Sequence, residues 1–299
     1  MNGEVLSRRD VHRAITDEIV AAIDAGAKRY EMPWHQGITR PVNASTGRAY
    51  HGVNVLALWA AGRRRGFQSG YWATYRQWAS LGAQVRKGER GSLIVFYKSV
   101  EIDADDEEDA TEAAAARTKL IARASWSFNA DQVDGWTAPQ LQTQDNVEIR
   151  ANAESFIDAC RADIRHGGDM AYYDPTADYI AVPHPEQFVA TRTSTATEAY
   201  YSTVFHELTH WTGASHRLAR NLQSRFGDHA YAMEELVAEF GAAYLCADLQ
   251  IANSPRLDHA AYVSSWLRVL NEDRTALFTA ASKATVAATY LTDMTRSSR

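Results

Sequence analysis

Val11, Ile15, Ile19 and Ile23 fall four residues apart. That spacing predicts one buried face of a helix that Ser7 and Asp10 cap and that stops near Gly26. A second apolar helix is predicted from Val53 to Ala61, closed by Gly62-Arg63-Arg64-Arg65-Gly66, and Thr74 with Gln77 opens a short one that Gly82 ends. Branched and aromatic residues at Leu93 to Val100 and again at Leu120 to Phe128 read as two strands. The simplest way to join them is a long hairpin whose charged loop covers 101–117. An aperiodic, Gln-rich stretch from Asn129 to Asn146 reads as a connection between domains. Beyond it come a helix near Asn152 to Ala162, a hairpin turning at Asp174-Pro175, and two longer helical runs, Ala196 to Thr212 and Tyr231 to Leu245. The expected architecture is α+β in two domains: a mixed helix and hairpin unit over 1–135, a linker at 136–150, and a largely helical unit over 151–299.

Composition narrows the class. The 299 residues are 45% hydrophobic and 23% charged, ordinary for a soluble globular chain. No stretch approaches the roughly 18 apolar residues of a membrane span, and the first residues lack an export signal. Only Cys160 and Cys246 are present, too few for a disulfide framework, so a reducing cytoplasm is the expected location. The net charge of −6 conceals an asymmetry: residues 1–100 hold 15 Lys and Arg against 7 Asp and Glu, while 101–112 hold eight acids and no base. A basic first third suits a polyanionic partner.

Chemistry concentrates at His206-Glu207-Leu208-Thr209-His210. Residues four apart share a helix face, so both imidazoles can aim at one metal ion, and Glu207 sits where a general base is needed, as in zinc peptidases. A core helix with two satisfied histidines is the competing reading, but a buried glutamate beside them is costly without a metal. Such sites usually have a third protein ligand. Glu235 is preferred, with Glu239 on the same face free to orient a ligand histidine. His216 is the alternative, because His206-x3-His210-x5-His216 with Gly213 matches the metzincin spacing, although no downstream methionine turn is evident. The expected ion is Zn²⁺ or another divalent metal such as Mn²⁺.

The basic third also interleaves rings with cations. Trp34, Tyr50, Trp72 and Tyr75 offer faces on which bases can stack, and Arg48, Arg63, Arg64, Arg65, Arg76, Arg86 and Lys87 can meet phosphates. Against this stands the reading of each ring as core. The acidic run at 101–112 reads as a solvated loop, or as an imitation of DNA phosphates.

Three segments, PWHQGITRPVNASTGRAYHGVNVLALW, YWATYRQWASLGAQVRKGERG and FNADQVDGW, resemble the ArdC-like single-stranded-DNA-binding domain. HELTHWTG with EELVAEFGAAYLCADL resembles the zincin-like peptidase domain joined to it, and the second of these also resembles metallopeptidases of the ImmA/IrrE type, whose metal-binding glutamate falls on Glu235. The resemblance covers most of the chain and extends to the N-terminal part of certain plasmid primases. It implies binding of single-stranded DNA and protection of incoming conjugative plasmid DNA from restriction, with restriction subunits as possible targets. The protection would work either through peptidase action or through occlusion alone, with a non-catalytic metal site.

Overall fold

The structure is a computed structural model that describes residues 8–27, 32, 34, 39–102, 117–139, 146–190, 194–220, 229–252 and 259–297. Helix α1 (Arg8–Ala27) buries the four predicted positions, Val11, Ile15, Ile19 and Ile23. After β1 (Val42–Asn43), helix α2 (Val53–Arg65) runs four residues beyond the predicted end at Ala61. The three arginines are good helix formers, and the left-handed residue that ends the helix is the second glycine, Gly66. Strand β2 (Tyr71–Thr74) leads into α3 (Tyr75–Ser80), where Thr74 and Gln77 form the expected capping box.

Strand β3 (Gln84–Val85) precedes the long hairpin of β4 (Ser92–Ile102) and β5 (Arg117–Asn129), paired from Ser92↔Ser127 to Ile102↔Arg117. The acidic stretch at 103–116 lies outside the described residues. The sheet order is β1-β2-β5-β4. The stretch after Asn129 is not simply a connection. Asn129 caps a 3-10 turn at Ala130–Gln132, and β6 (Val133–Asp134) pairs with β3. Trp136 then packs edge-on against Trp78 at 5.1 Å. A capping box and a two-residue strand carry no periodicity, so the pattern could not reveal them.

In the second half, α4 (Asn146–Cys160) is followed by a three-stranded sheet of β7 (Asp163–His166), β8 (Tyr172–Asp174) and β9 (Tyr179–Val182) in the order β7-β9-β8. Helices α5 (Ala196–Trp211), α6 (His229–Asp248), α7 (His259–Glu272) and α8 (Ala276–Ser297) complete it. The last two were not singled out by the hydrophobic pattern. Along α8 much of the buried face is alanine, which marks a helix face only weakly. Among the described residues, no helix is long and apolar enough to cross a membrane.

One hydrophobic cluster runs from Val11 to Leu291 and takes in both halves. Trp34, Arg40 and Gly52 grip α6: the Trp34 and Phe240 rings meet edge-on at 4.9 Å, Arg40 lies 2.8 Å from Asp248, and the Tyr244 hydroxyl donates to the Gly52 carbonyl at 3.1 Å. Helices α5 and α6 touch most closely at Gly241, where a Cβ would stand 2.5 Å from Thr209 Cγ2. Gly241→Ala is therefore expected to destabilise the fold by about 1–3 kcal/mol, read as a lower midpoint in thermal unfolding. Adding Thr209→Ala should recover part of that loss.

Candidate metal centre and nucleic-acid surface

Thr195 fixes where α5 begins. Its hydroxyl accepts from the Glu198 amide at 3.2 Å, and Glu198 Oε2 accepts from the Thr195 amide at 2.7 Å. Helix register then carries His206 and His210 onto the face packed against α6, with their Nε2 atoms 3.1 Å apart. Glu235 on α6 completes the group. Its Oε2 lies 3.5 Å from His206 Nε2, and its Oε1 lies 3.6 Å from His210 Nε2. One ligand atom from each residue falls within 4.8 Å of the others, the one such grouping among the described residues. Glu207 follows His206 on α5 and is buried.

Each histidine turns its other nitrogen to a carboxylate. His206 Nδ1 is 3.3 Å from Glu239 Oε1, at ion-pair distance but off the line of a good hydrogen bond. His210 Nδ1 is 3.3 Å from Glu234 Oε1. Glu239 Oε2 in turn accepts from the Trp34 indole N–H at 3.4 Å. Glu234 is clasped by Arg220, whose Nη2 donates to Oε1 at 2.9 Å and whose Nε donates to Oε2 at 3.1 Å. Burial pushes the Glu234 carboxyl up, but hydrogen bonds from His210 and Arg220 outweigh it and hold the pKa below the ordinary value. Carboxylates at both Nδ1 atoms assign the ring protons there. With the Nδ1 atoms so engaged, two Nε2 atoms and the Glu235 carboxylate converge at one largely buried point. Such a donor set suits a divalent cation.

The alternative ligand is elsewhere. After Thr212 the chain makes tight turns, with the Leu218 amide on the Thr212 carbonyl and the Arg220 amide on the Gly213 carbonyl. These turns bring Arg220 to α6 and leave His216 exposed, 3.5 Å from Asp178. Glu234 and Arg220 were missed by the sequence reading. Their signal was slight: a second glutamate beside Glu235, and an arginine four residues beyond His216.

The rings and cations chosen for DNA divide. Trp34, Tyr50 and Trp72 are core residues, 0%, 6% and 2% exposed, and a ring packed on both faces offers nothing to a base. This corrects the expectation for those three. Several arginines are engaged within the protein: Arg63 donates to the Met32 carbonyl, Arg64 pairs with Glu18 at 2.9 Å, Arg65 donates to the Arg90 carbonyl, and Arg86 lies 3.2 Å from Glu89 and 3.4 Å from Asp134. Arg48, Tyr75, Arg76 and Lys87 are exposed. They gather around α3, to which Asn43 ties the turn carrying Arg48 through a 3.2 Å bond to Gln77.

The crystal structure of the antirestriction protein ArdC from plasmid R388, in its metal-free form, superposes with a TM-score of 0.77 at 37% identity, covering 96% of this chain and 98% of that one. This chain belongs to the ArdC antirestriction family. The Mn(II)-bound form of R388 ArdC matches with a TM-score of 0.74 at 36% identity over the same shares. Residues 9–128 match the N-terminal domain of anti-restriction factor ArdC, and residues 151–283 match the zincin-like metallopeptidase family. The Sinorhizobium fredii protein y4eC is 47% identical over 92% of this chain and 89% of its own length. Two Escherichia coli DNA primases named TraC are 34% and 36% identical over 93% of the chain, which spans only 19% and 26% of them.

In this ArdC-family chain, Arg220 is 5% exposed and supplies the cation that Glu234 faces. Arg220→Met is expected to lower stability by about 3–5 kcal/mol, because it strands a buried carboxylate. Thermal or urea unfolding at neutral pH measures the change.

Proposed function

We propose that this chain protects incoming plasmid DNA from restriction by binding it as a single strand and acting on proteins that meet it there, with a divalent cation, zinc or manganese, held by His206, His210 and Glu235. The observation that carries the reading is the buried convergence of those three groups, each histidine backed by its own carboxylate. Support for the metal comes from the Mn(II)-bound form of R388 ArdC. The role against restriction follows from the family. DNA is met within residues 1–135 and the cation is held within 151–299. Exposed Arg48, Arg76 and Lys87 pair with no acid among the described residues and are placed to meet phosphates.

Bound in this site, a divalent cation supplies Lewis acidity, polarising a peptide carbonyl and making water acidic enough to attack it near neutral pH. The chain's residues do the rest. Glu207 takes a proton from the attacking water and returns it to the departing amine. Glu239 and Glu234 hold the two imidazoles in the tautomer and orientation that aim both Nε2 atoms at one point. Trp34 and Arg220 hold those carboxylates in turn.

Two measurements test this. Metal analysis of purified protein should show Glu235→Gln losing most of its bound metal and His216→Ala keeping it; the reverse order would reject the ligand set. Glu207→Gln should retain metal yet cleave a quenched-fluorescence peptide library at least about a hundredfold more slowly. Transfer of a restriction-sensitive plasmid then separates the modes of action. Loss of protection in Glu207→Gln supports proteolysis, and full protection shows that the strand is shielded by occlusion alone.

A further inference from the structure

A run of aromatic rings lies open on one face of the β4–β5 hairpin. Trp126 and Phe128 are two apart on β5 and so share a face. Trp126 is 54% exposed, and Phe128 is half-buried. Tyr75, the first residue of α3 and 50% exposed, meets the Phe128 ring edge-on, with centroids 6.4 Å apart. The strip is braced from beneath and beside. Trp126 pairs across the ladder with buried Leu93, and a Cβ on Gly91 would stand 2.9 Å from Trp126 Cβ and 3.2 Å from Phe128 Cζ. At the other end, Gln84 Nε2 donates to the Tyr75 hydroxyl at 3.0 Å.

β3 and the turn after it therefore run alongside the rings, meeting them at Gln84 and at Gly91. The turn exposes Lys87 and Arg90, and α3 adds Arg76 next to Tyr75. The acids of this neighbourhood are already matched. Glu89 and Asp134 pair with Arg86, and Asp131 accepts from the Gln68 and Ser69 amides. What remains on the surface is a row of ring faces with a cationic border.

We propose that Tyr75, Phe128 and Trp126 form a base-stacking platform for single-stranded DNA, with Arg76, Lys87 and Arg90 meeting its phosphates. The proposal rests on the DNA-binding reading above and gives that reading its rings, in place of the buried Trp34, Tyr50 and Trp72. Both kinds of surface point to the same ligand. Cations at the border need a polyanion, and exposed ring faces need partners with flat faces of their own. A single strand supplies both, whereas a duplex keeps its base faces stacked on one another.

The test is fluorescence anisotropy of a labelled oligothymidylate of about 20 nucleotides, longer than the roughly 4–16 that one such domain covers, titrated with the full chain over a series of salt concentrations. Trp126→Ala is expected to weaken binding about ten- to a hundredfold, with Trp126→Phe retaining most of the affinity. Tyr75→Ala, on a separate element, should weaken it likewise. Trp126→Ala should leave the slope of log K against log salt unchanged, because a ring releases no counterions. The double variant Arg76→Ala, Lys87→Ala should flatten it by about one for each cation removed. Thermal unfolding of the unliganded variants should match the parent, since these side chains lie at the surface. Parent-like affinity in both Trp126→Ala and Tyr75→Ala overturns the platform while leaving DNA binding intact. Failure of the parent to bind the oligonucleotide overturns both.

Discussion

The structure turns on the contact between α5 and α6, because the three side chains that could hold a metal, His206, His210 and Glu235, come together only where these two helices meet. α5 supplies both histidines; α6 supplies Glu235 beside their Nε2 atoms and Glu234 and Glu239 beside their Nδ1 atoms. No backbone hydrogen bond joins helices to one another, so their spacing is set by side-chain packing alone. Here it is set by the smallest possible side chain, Gly241, against a β-branched one, Thr209, whose hydroxyl is itself tied to the Phe205 carbonyl at 2.8 Å. The threonine cannot swing away without giving up that bond. A helix pair held this tightly fixes the carboxylates relative to the imidazoles before any ion arrives, which spares the binding step much of the ordering cost.

The two histidines are backed in chemically different ways. Glu239 answers to a neutral donor, the Trp34 indole, whereas Glu234 answers to a guanidinium that makes two hydrogen bonds to it and others to the Thr212 hydroxyl and the Thr209 carbonyl. Hydrogen bonds from His210 and from this charged, bidentate partner hold the Glu234 pKa below its ordinary value despite its burial. Arg220 thereby also closes the turns after α5, and the same residue that orders the loop orients His210. The excursion that places His216 outside is the geometric consequence of bringing Arg220 in.

Much of this was legible in the sequence, and the limits have physical reasons. Period-four apolar residues marked α1, a capping box marked the start of α3, and the histidine spacing marked the face of α5 that meets α6, because each of these is a local rule written within a few residues. Which of Glu235 and His216 lies beside the two histidines was not local. It depends on how turns between α5 and α6 steer the chain, which spacing alone does not encode. The tryptophans misled for a related reason: Trp34 and Trp72 sit in a segment rich in arginine, and composition cannot tell a ring that faces solvent from one that faces α6 or α2. Trp126 was passed over because it lies on a strand that read simply as half of a hairpin, and only the packed structure shows that this ring stands open while its cross-strand neighbour Leu93 is buried.

Trp34 also bears on how the two halves relate. It belongs to the segment that matches the N-terminal ArdC domain, yet its indole completes the surroundings of His206 and its ring packs on Phe240. Arg40 and Gly52 hold α6 from the same side. Cutting between the family segments would expose the apolar surface of one continuous cluster on both products and would take the indole away from Glu239. The TraC primases are matched over 93% of this chain within a small part of their own length. That match takes in both halves together, in keeping with the one hydrophobic cluster they share and with the Trp34 indole that reaches Glu239.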